Sequence, residues 1–328
     1  MRGNPDYACT VKVKISNTTK RLFYLKDAEE GKSLIKALEK ASKFWKRGQV
    51  KIQDRFEYDP EDKGCQLGKG SYGAVYKAFD KLTNTFIALK IIKRTLLSVE
   101  EYDMIASEIE LSLVLSEDSH PGLTRLRDVY RSPDQVVLVM DLVEGVNLFS
   151  WLMANQNKRV YSEKVALRIF STLAETLKHV HGRGVVHRDI KLDNVIISID
   201  EGFRKIETKI IDFGLSILLL QGETHTKTLG SIAYLSPEIV RQSPHAFATD
   251  IWSLGIVLYT LLTGRMPFIN QCLEKTMHNI KHKDINFNQT CWRRVSIEGK
   301  DLVVKMLSKQ ASERPRAAEL LQHACFKQ

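Results

Sequence analysis

Apolar and polar positions alternate over residues 10–15, with Val11, Val13 and Ile15 on one face and Lys12 and Lys14 on the other. This period of two predicts a half-buried strand. Ser16-Asn17-Thr18-Thr19 supplies a turn, and 21–25 reads as a second strand. Leu34, Leu38, Ala41 and Trp45 then recur at helical spacing, which predicts an amphipathic helix over 29–45. Gly48 and the polar run around Asp54 read as a linker. From about Phe56 the pattern changes. A Gly-rich turn at 68–73 lies between two short β-like runs; another run covers 86–92, a helix is predicted over 99–115, and a strand over 136–140. Beyond 148 the periodicity is mainly helical, over 163–181, 249–263 and 299–308, with short strands at 195–198 and 208–211. The predicted fold class is α+β: a basic extension over 1–55, then one domain over 56–328, with a small β-rich lobe carrying one helix and a larger α-helical lobe.

Composition narrows the function classes. The chain has 328 residues, 43% apolar and 27% charged, which is ordinary for a globular protein. Five scattered cysteines, with no Cys-x-x-Cys pair, point away from a disulfide framework or a zinc site and towards a reducing compartment. The N-terminal residues lack the apolar core of a secretory signal, and the longest apolar run, 254–262, is too short to cross a bilayer. A soluble, cytoplasmic chain is expected. Residues 1–55 hold 14 Lys and Arg against 6 Asp and Glu, so +8 of the net +10 sits in the extension. Such a bias attracts anionic surfaces. Anionic lipid, with peripheral membrane contact, is the partner this suggests, and no nucleic acid is expected; a plain solvated lysine face accounts for the charge equally well.

Candidate chemistry begins at Leu67-Gly68-Lys69-Gly70-Ser71-Tyr72-Gly73-Ala74-Val75, a G-x-G-x-x-G-x-V pattern. Glycines let a backbone turn tightly and bring its N–H groups to phosphate oxygens. The pattern continues as strand rather than helix, which argues against a dinucleotide-binding turn. Lys90, between Ala88-Leu89 and Ile91-Ile92 on the next strand, needs an anionic partner because a buried ammonium is costly. Glu108 on the following helix is the best carboxylate; Glu110 is the alternative, about 200° away around the helix. His187-Arg188-Asp189-Ile190-Lys191-Leu192-Asp193-Asn194 packs a carboxylate, cations and an amide between apolar flanks. Asp212-Phe213-Gly214 follows a β run 23 residues after Asp189.

In this order, the four pieces resemble the eukaryotic protein kinase family. The resemblance covers about residues 56–326 and continues through Ser236-Pro237-Glu238, Asp250-Ile251-Trp252-Ser253-Leu254-Gly255, Gly264-Arg265-Met266-Pro267-Phe268 and Arg314-Pro315. It implies an ATP- and Mg²⁺-dependent enzyme acting on protein substrates. By the same resemblance, Asp189 orients the attacking hydroxyl, Lys191 neutralises the transferring phosphoryl group, and Asn194 and Asp212 hold Mg²⁺. Gly68, Gly70 and Gly73 cover phosphates, and Lys90 binds them and pairs with Glu108. Leu67, Val75, Ala88, Met140 and Ile196 form the adenine slot, with hinge backbone at Asp141 and Val143. Glu238 and Arg314 are expected as a buried ion pair, and Asp250 as a brace for the catalytic loop. Lys191 and Ser231 mark a Ser/Thr kinase, and the ending Arg314-Pro315…Phe326 resembles the calcium/calmodulin-dependent kinase group; no EF-hand loop is expected within the chain. Because every metal- and phosphate-handling residue is present, a pseudokinase or membrane-recruited scaffold is the lesser alternative.

Some positions depart from the family pattern: Ser112 for an apolar spine residue, Asn147 for an acid that reads substrate arginine, Ile232-Ala233 after the Gly-Ser pair, and Ser236 before Pro-Glu. Thr228, or else Thr226, is the expected site of a loop phosphate that would pair with Arg188. The strand–strand–helix pattern of 9–45 resembles the last part of a pleckstrin-homology domain, a piece too small to close a barrel by itself.

Overall fold

A computed structural model of the chain describes residues 9–14, 20–25, 32, 52–70, 73–117, 119–157, 162–200, 202–219 and 222–327. It divides into a sheet unit, residues 1–119 with 125–142, and a helical unit, residues 120–124 with 143–328. In the extension, β1 (Cys9–Lys14) and β2 (Lys20–Leu25) pair antiparallel, Val11 opposite Phe23. Apart from Lys32, the helix predicted over 29–45 lies outside the described residues.

The polar run around Asp54 is not a linker. Ile52–Arg55 is a short helix, α1, that leads into β3 (Phe56–Glu57). Ile52 and Phe56 are buried in one cluster with Ala78, Ile87, Leu89, Tyr130, Val137 and Val139. Arg55 fixes the helix end: its Nε and Nη2 donate to the two oxygens of the fully buried Asp80, at 2.9 and 2.7 Å. Side-chain polarity alone misjudged this run: Gln53 and Asp54 are exposed, but Ile52 is buried and Arg55 is paired with Asp80.

The main sheet runs β3-β5-β6-β8-β7, all antiparallel, with β4 (Gln66–Lys69) on β5 (Gly73–Asp80). β6 (Thr85–Lys93) and β8 (Gln135–Asp141) are central, and β7 (Leu126–Arg131) is an edge strand that the sequence pattern did not reveal. Successive residues of a strand face opposite ways, so β8 serves two cores. Val137 and Val139 join the cluster containing Ile52 and Phe56. Val136 and Leu138 pack with Ile92 against Ile105, Ile109 and Leu113 of α2 (Val99–Ser116). Ser98 starts that helix with a reciprocal capping box to Glu101.

The helical unit is built around α4 (Glu163–Gly182) and α6 (Ala248–Thr263). α6 is buried from Thr249 through Leu261, on every face, as a central helix must be. α3 (Leu148–Asn155) precedes α4, with Asn147 as its N-cap; its Oδ1 accepts from Ser150 N at 2.7 Å. The small sheet β12-β11-β9 joins Ile206–Ile210, Val195–Ile199 and Val146–Asn147. β10 (Val185–Val186) pairs with β13 (Ile217–Leu218). Helices α5 (Pro237–Val240), α7 (Leu273–His282), α8 (Ile297–Met306) and α9 (Ala317–Leu320) complete the unit. Arg314 is buried and donates to Glu238 through Nη1 and Nη2 at 2.7 and 2.8 Å, and also to the carbonyls of Ala248 and Ser308. Burial alone would raise the Glu238 pKa, but the bonds and charge from Arg314 hold it below the ordinary value. Among the described residues, no helix is long and apolar enough to cross a membrane.

Candidate active site

In the sheet unit, the register fixes which side chains share a face. Val75 lies opposite Lys90, and Lys90 opposite Leu138; Ala88 lies opposite Met140. Ala88, Lys90 and Ile92 alternate along β6 and so face α2, the side on which Met140 also packs. Lys90 Nζ meets Glu108 Oε1 at 2.5 Å, with both residues buried. Of the two acids weighed for this partner, the structure selects Glu108. Glu108 Oε2 is also buried and, among the described residues, has no hydrogen-bond partner.

The glycine turn separates into two kinds of glycine. A Cβ on Gly73 would lie 1.9 Å from the Ile91 carbonyl oxygen, so packing alone requires glycine there. Among the described residues, a Cβ on Gly68 would meet nothing within 4 Å, and on Gly70 only the Gly73 carbonyl at 3.7 Å. Neither needs to be glycine for the protein's own packing. The bare backbone they leave suits close approach of a phosphate. Gly70 N donates to Gly73 O at 2.8 Å, closing the turn, and Leu67 at its start is exposed. Ser71 and Tyr72 lie outside the described residues. Met140 and Asp141 end β8, both half-buried.

In the helical unit, the chemistry-bearing residues converge on Asp189. Its Oδ2 accepts from Lys191 Nζ at 2.6 Å and from Asn194 Nδ2 at 2.9 Å. Its Oδ1 accepts from Ser231 Oγ at 3.1 Å and from Ser231 N at 3.3 Å. Lys191 Nζ also donates to Ser231 Oγ at 2.9 Å. The Asn194 amide nitrogen is committed to Asp189, its carbonyl included, which leaves the Asn194 oxygen as the hard donor atom. Ile211 N donates to Asn194 O at 2.9 Å, setting the exposed Asp212 next to that loop. Asp212 has a left-handed backbone, φ 66°, and its Oδ1 accepts from Gly214 N. Among the described residues no three His, Cys, Asp or Glu side chains gather to hold a metal ion. Asn194 and Asp212 offer the oxygen donors that Mg²⁺ prefers, and its shell would be completed by ligand oxygens and water. Val143 and Ile196 are both half-buried in this unit.

The loop is held from beneath by Asp250, fully buried at the start of α6. Its carboxylate accepts from His187 N at 2.8 Å, Arg188 N at 2.9 Å and His181 Nε2 at 2.9 Å. Burial pushes against its charge, but these donors keep its pKa below the ordinary value. His187 is fully buried and its pKa is pushed down by that burial; its ring lies 4.8 Å from that of Phe213. Sequence reasoning did not find His181, Tyr234, whose hydroxyl accepts from Leu192 N, or His225, which faces Arg188. None of these three stands in a local pattern. Each meets its partner only after 37 to 69 residues of intervening chain.

Comparison with known proteins places this constellation. A family model described as protein kinase domain matches residues 62–326. Calcium-dependent protein kinase 31 of Arabidopsis thaliana is 34% identical over 266 residues, covering 80% of this chain and 54% of that protein. Calcium-dependent protein kinase 7 of the same plant is 34% identical over 80% of this chain and 48% of its own length. Calcium-dependent protein kinase 22 of Oryza sativa subsp. japonica is 35% identical over 80% and 45%. The chain thus spans about half the length of the curated relatives it matches. With a β-rich unit carrying one long helix and a helical unit carrying the Asp189 loop, this chain belongs to the protein kinase domain family.

Proposed function

We propose that the chain transfers the γ-phosphoryl group of ATP to serine and threonine hydroxyls of protein substrates. The observation that carries this reading is the Asp189 cluster, in which one carboxylate is bonded by Lys191, Asn194 and Ser231. We assign the catalytic domain from Ile52 onward, since that residue is already part of the sheet core.

In the sheet unit, the backbone at Gly68, Gly70 and Gly73 and the ammonium of Lys90 would hold the phosphates, with Leu67, Val75, Ala88, Met140 and the backbone of Asp141 against the base. In the helical unit, Val143 and Ile196 would meet the base, and Asn194 and Asp212 would hold Mg²⁺. When bound, ATP and Mg²⁺ supply the activated phosphoryl group and neutralise its charge. The chain's own residues do the positioning. Asp189 accepts the proton of the attacking hydroxyl and orients its oxygen. Lys191, tethered by both Asp189 and Ser231, holds a positive charge where negative charge develops. Glu108 keeps Lys90 in place. Catalysis of this kind rests on orientation and electrostatics, with no covalent intermediate.

The test is phosphorylation of a peptide array, with Asp189→Asn as control, followed by phosphoamino-acid analysis. Phosphoserine and phosphothreonine are expected; mainly phosphotyrosine, or equal transfer by the control, would overturn the reading. The basic extension favours contact with anionic lipid, as supported by its net +8 over residues 1–55. Sedimentation with phosphatidylserine vesicles checks this: the full chain should pellet, and residues 52–328, with a net charge of +2, should not.

A further inference from the structure

Arg188 adjoins Asp189 and has a left-handed backbone, φ 65°. Among the described residues its side-chain partners are the Leu215 carbonyl, to which Nε donates at 2.5 Å, and His225. Arg188 Nη1 lies 3.2 Å from His225 Nδ1 and 3.4 Å from its Nε2. The same Nδ1 accepts from Lys227 N at 3.0 Å. Nδ1 takes the Lys227 N–H on its one in-plane lone pair, so this imidazole is neutral with its hydrogen on Nε2, and Arg188 Nη1, near both ring nitrogens, lies over the ring face. Its surroundings agree: burial first, then the charges of Arg188, His245 and Lys227, push its pKa down to about 4.

His225 is fixed from a second side. Its backbone exchanges two hydrogen bonds with His245, both 2.9 Å, and their rings stand 5.8 Å apart. Thr224, Thr226 and Thr228 around it are exposed. Six residues beyond His225, Ser231 bonds Asp189 and Lys191. The sequence suggested a loop phosphate as partner for Arg188; here its guanidinium lies against the half-buried imidazole of His225.

We propose that His225 is a positioning residue: the face of its neutral ring clamps the residues around it onto Arg188, and so keeps Ser231 on Asp189 without a phosphate on the neighbouring threonines. This rests on the kinase reading above, because its effect is felt at Asp189. A guanidinium over a neutral ring is held more weakly than one bonded to a phosphate, yet the contact is present as soon as the chain folds.

The test uses the full chain, untreated by any other kinase, with loop phosphate scored by mass spectrometry. Thr224→Ala/Thr226→Ala/Thr228→Ala is expected to keep kcat/KM for peptide within about twofold, since the three threonines are exposed and an exposed polar change costs little. His225→Leu keeps the bulk but loses the ring face, and should lower kcat/KM by on the order of tenfold or more through misplacement of the segment. KM for ATP should stay close to wild type. His225→Phe, which keeps a face for the guanidinium, should restore most of the loss, which a merely space-filling side chain would not allow. His225→Ala replaces the Leu variant should that fail to fold. Wild-type turnover in His225→Leu, or failure of the triple variant to the same depth, would overturn the clamp while leaving the kinase reading intact. If wild type transfers no more phosphate than Asp189→Asn, the kinase reading itself fails and the clamp with it.

Discussion

The two units hold their charged residues by different means. In the sheet unit, Lys90 and Glu108 meet across 18 residues of chain in one bond, on side chains from separate elements, and Glu108 Oε2 is buried without a hydrogen-bond partner among the described residues. In the helical unit, Asp189 takes bonds on both oxygens, two of them from residues within five positions of it, and Asp250 grips the backbone of the same loop. One arrangement depends on how a helix packs against a sheet; the other is written into a loop and braced. The loop should therefore keep its geometry under changes that scatter the ion pair.

The largest effect expected is at the loop itself. Asp189→Asn removes the proposed proton acceptor and should lower kcat by about 10²–10⁴-fold, the range for a positioned acid or base. If the loop is braced as the bonds suggest, its thermal midpoint should hardly move, and a calorimetric scan beside the assay tests both halves. A large fall in midpoint would mean that Asp189 holds the loop together, and the contrast with the sheet unit would collapse. Next comes the ion pair. Lys90→Met and Glu108→Gln should each cost about 10²–10³-fold in kcat, as loss of one fixed charge-stabilising group does. Because the pair depends on packing, the double variant should cost no more than the worse single one. Additive losses in that cycle would show two independent roles.

The sequence revealed one unit better than the other, for the same physical reason. The helix ending at Gly182 stands out by its apolar periodicity and the helix from Ala248 by its nearly continuous apolar run, each four turns or more long. The Asp189 loop is legible because its partners lie two and five residues away. What was missed is short or depends on distant contacts. β7 reads Leu-Arg-Asp-Val-Tyr-Arg, whose alternation is broken because buried Asp128 is paired with Arg55. α1 looked like a linker because the partners of Arg55 are Asp80, Asp128 and Tyr130, 25 to 75 residues on. His225 stands in no motif at all; its meaning comes from Arg188, 37 residues earlier.

A third test asks whether a distant ion pair can be as secure as a local network. Glu238 and Arg314 are 76 residues apart, yet they are joined by two bonds and both are buried. Glu238→Ala leaves the Arg314 charge buried and should cost about 3–5 kcal/mol. The sign with pH follows from the depressed Glu238 pKa: the contribution is fully present above the ordinary glutamate range and is lost as pH falls through the lower folded value. Urea unfolding of wild type should therefore weaken on acidification more steeply than that of Glu238→Gln. Parallel slopes would show that the pair does not couple to protons.

The smallest effect separates structure from recognition at Asn147. In the family pattern this position holds an acid that reads substrate arginine; here Asn147 Oδ1 accepts from Ser150 N and starts α3. A cap of this kind is local, like the Asp189 loop, and needs only three residues of chain. Asn147→Ala removes the acceptor and should cost about 1 kcal/mol of stability, the usual value for a lost N-cap. Asn147→Asp keeps the cap, since a carboxylate oxygen accepts the same bond and its charge favours a helix N-terminus. The aspartate variant should match wild type in urea unfolding. If the side chain also faces bound substrate, the same variant should raise the rate on a peptide with arginine three positions before the acceptor, relative to one with alanine there. An unchanged ratio, with stability lost only in Asn147→Ala, would leave Asn147 as a cap and nothing more.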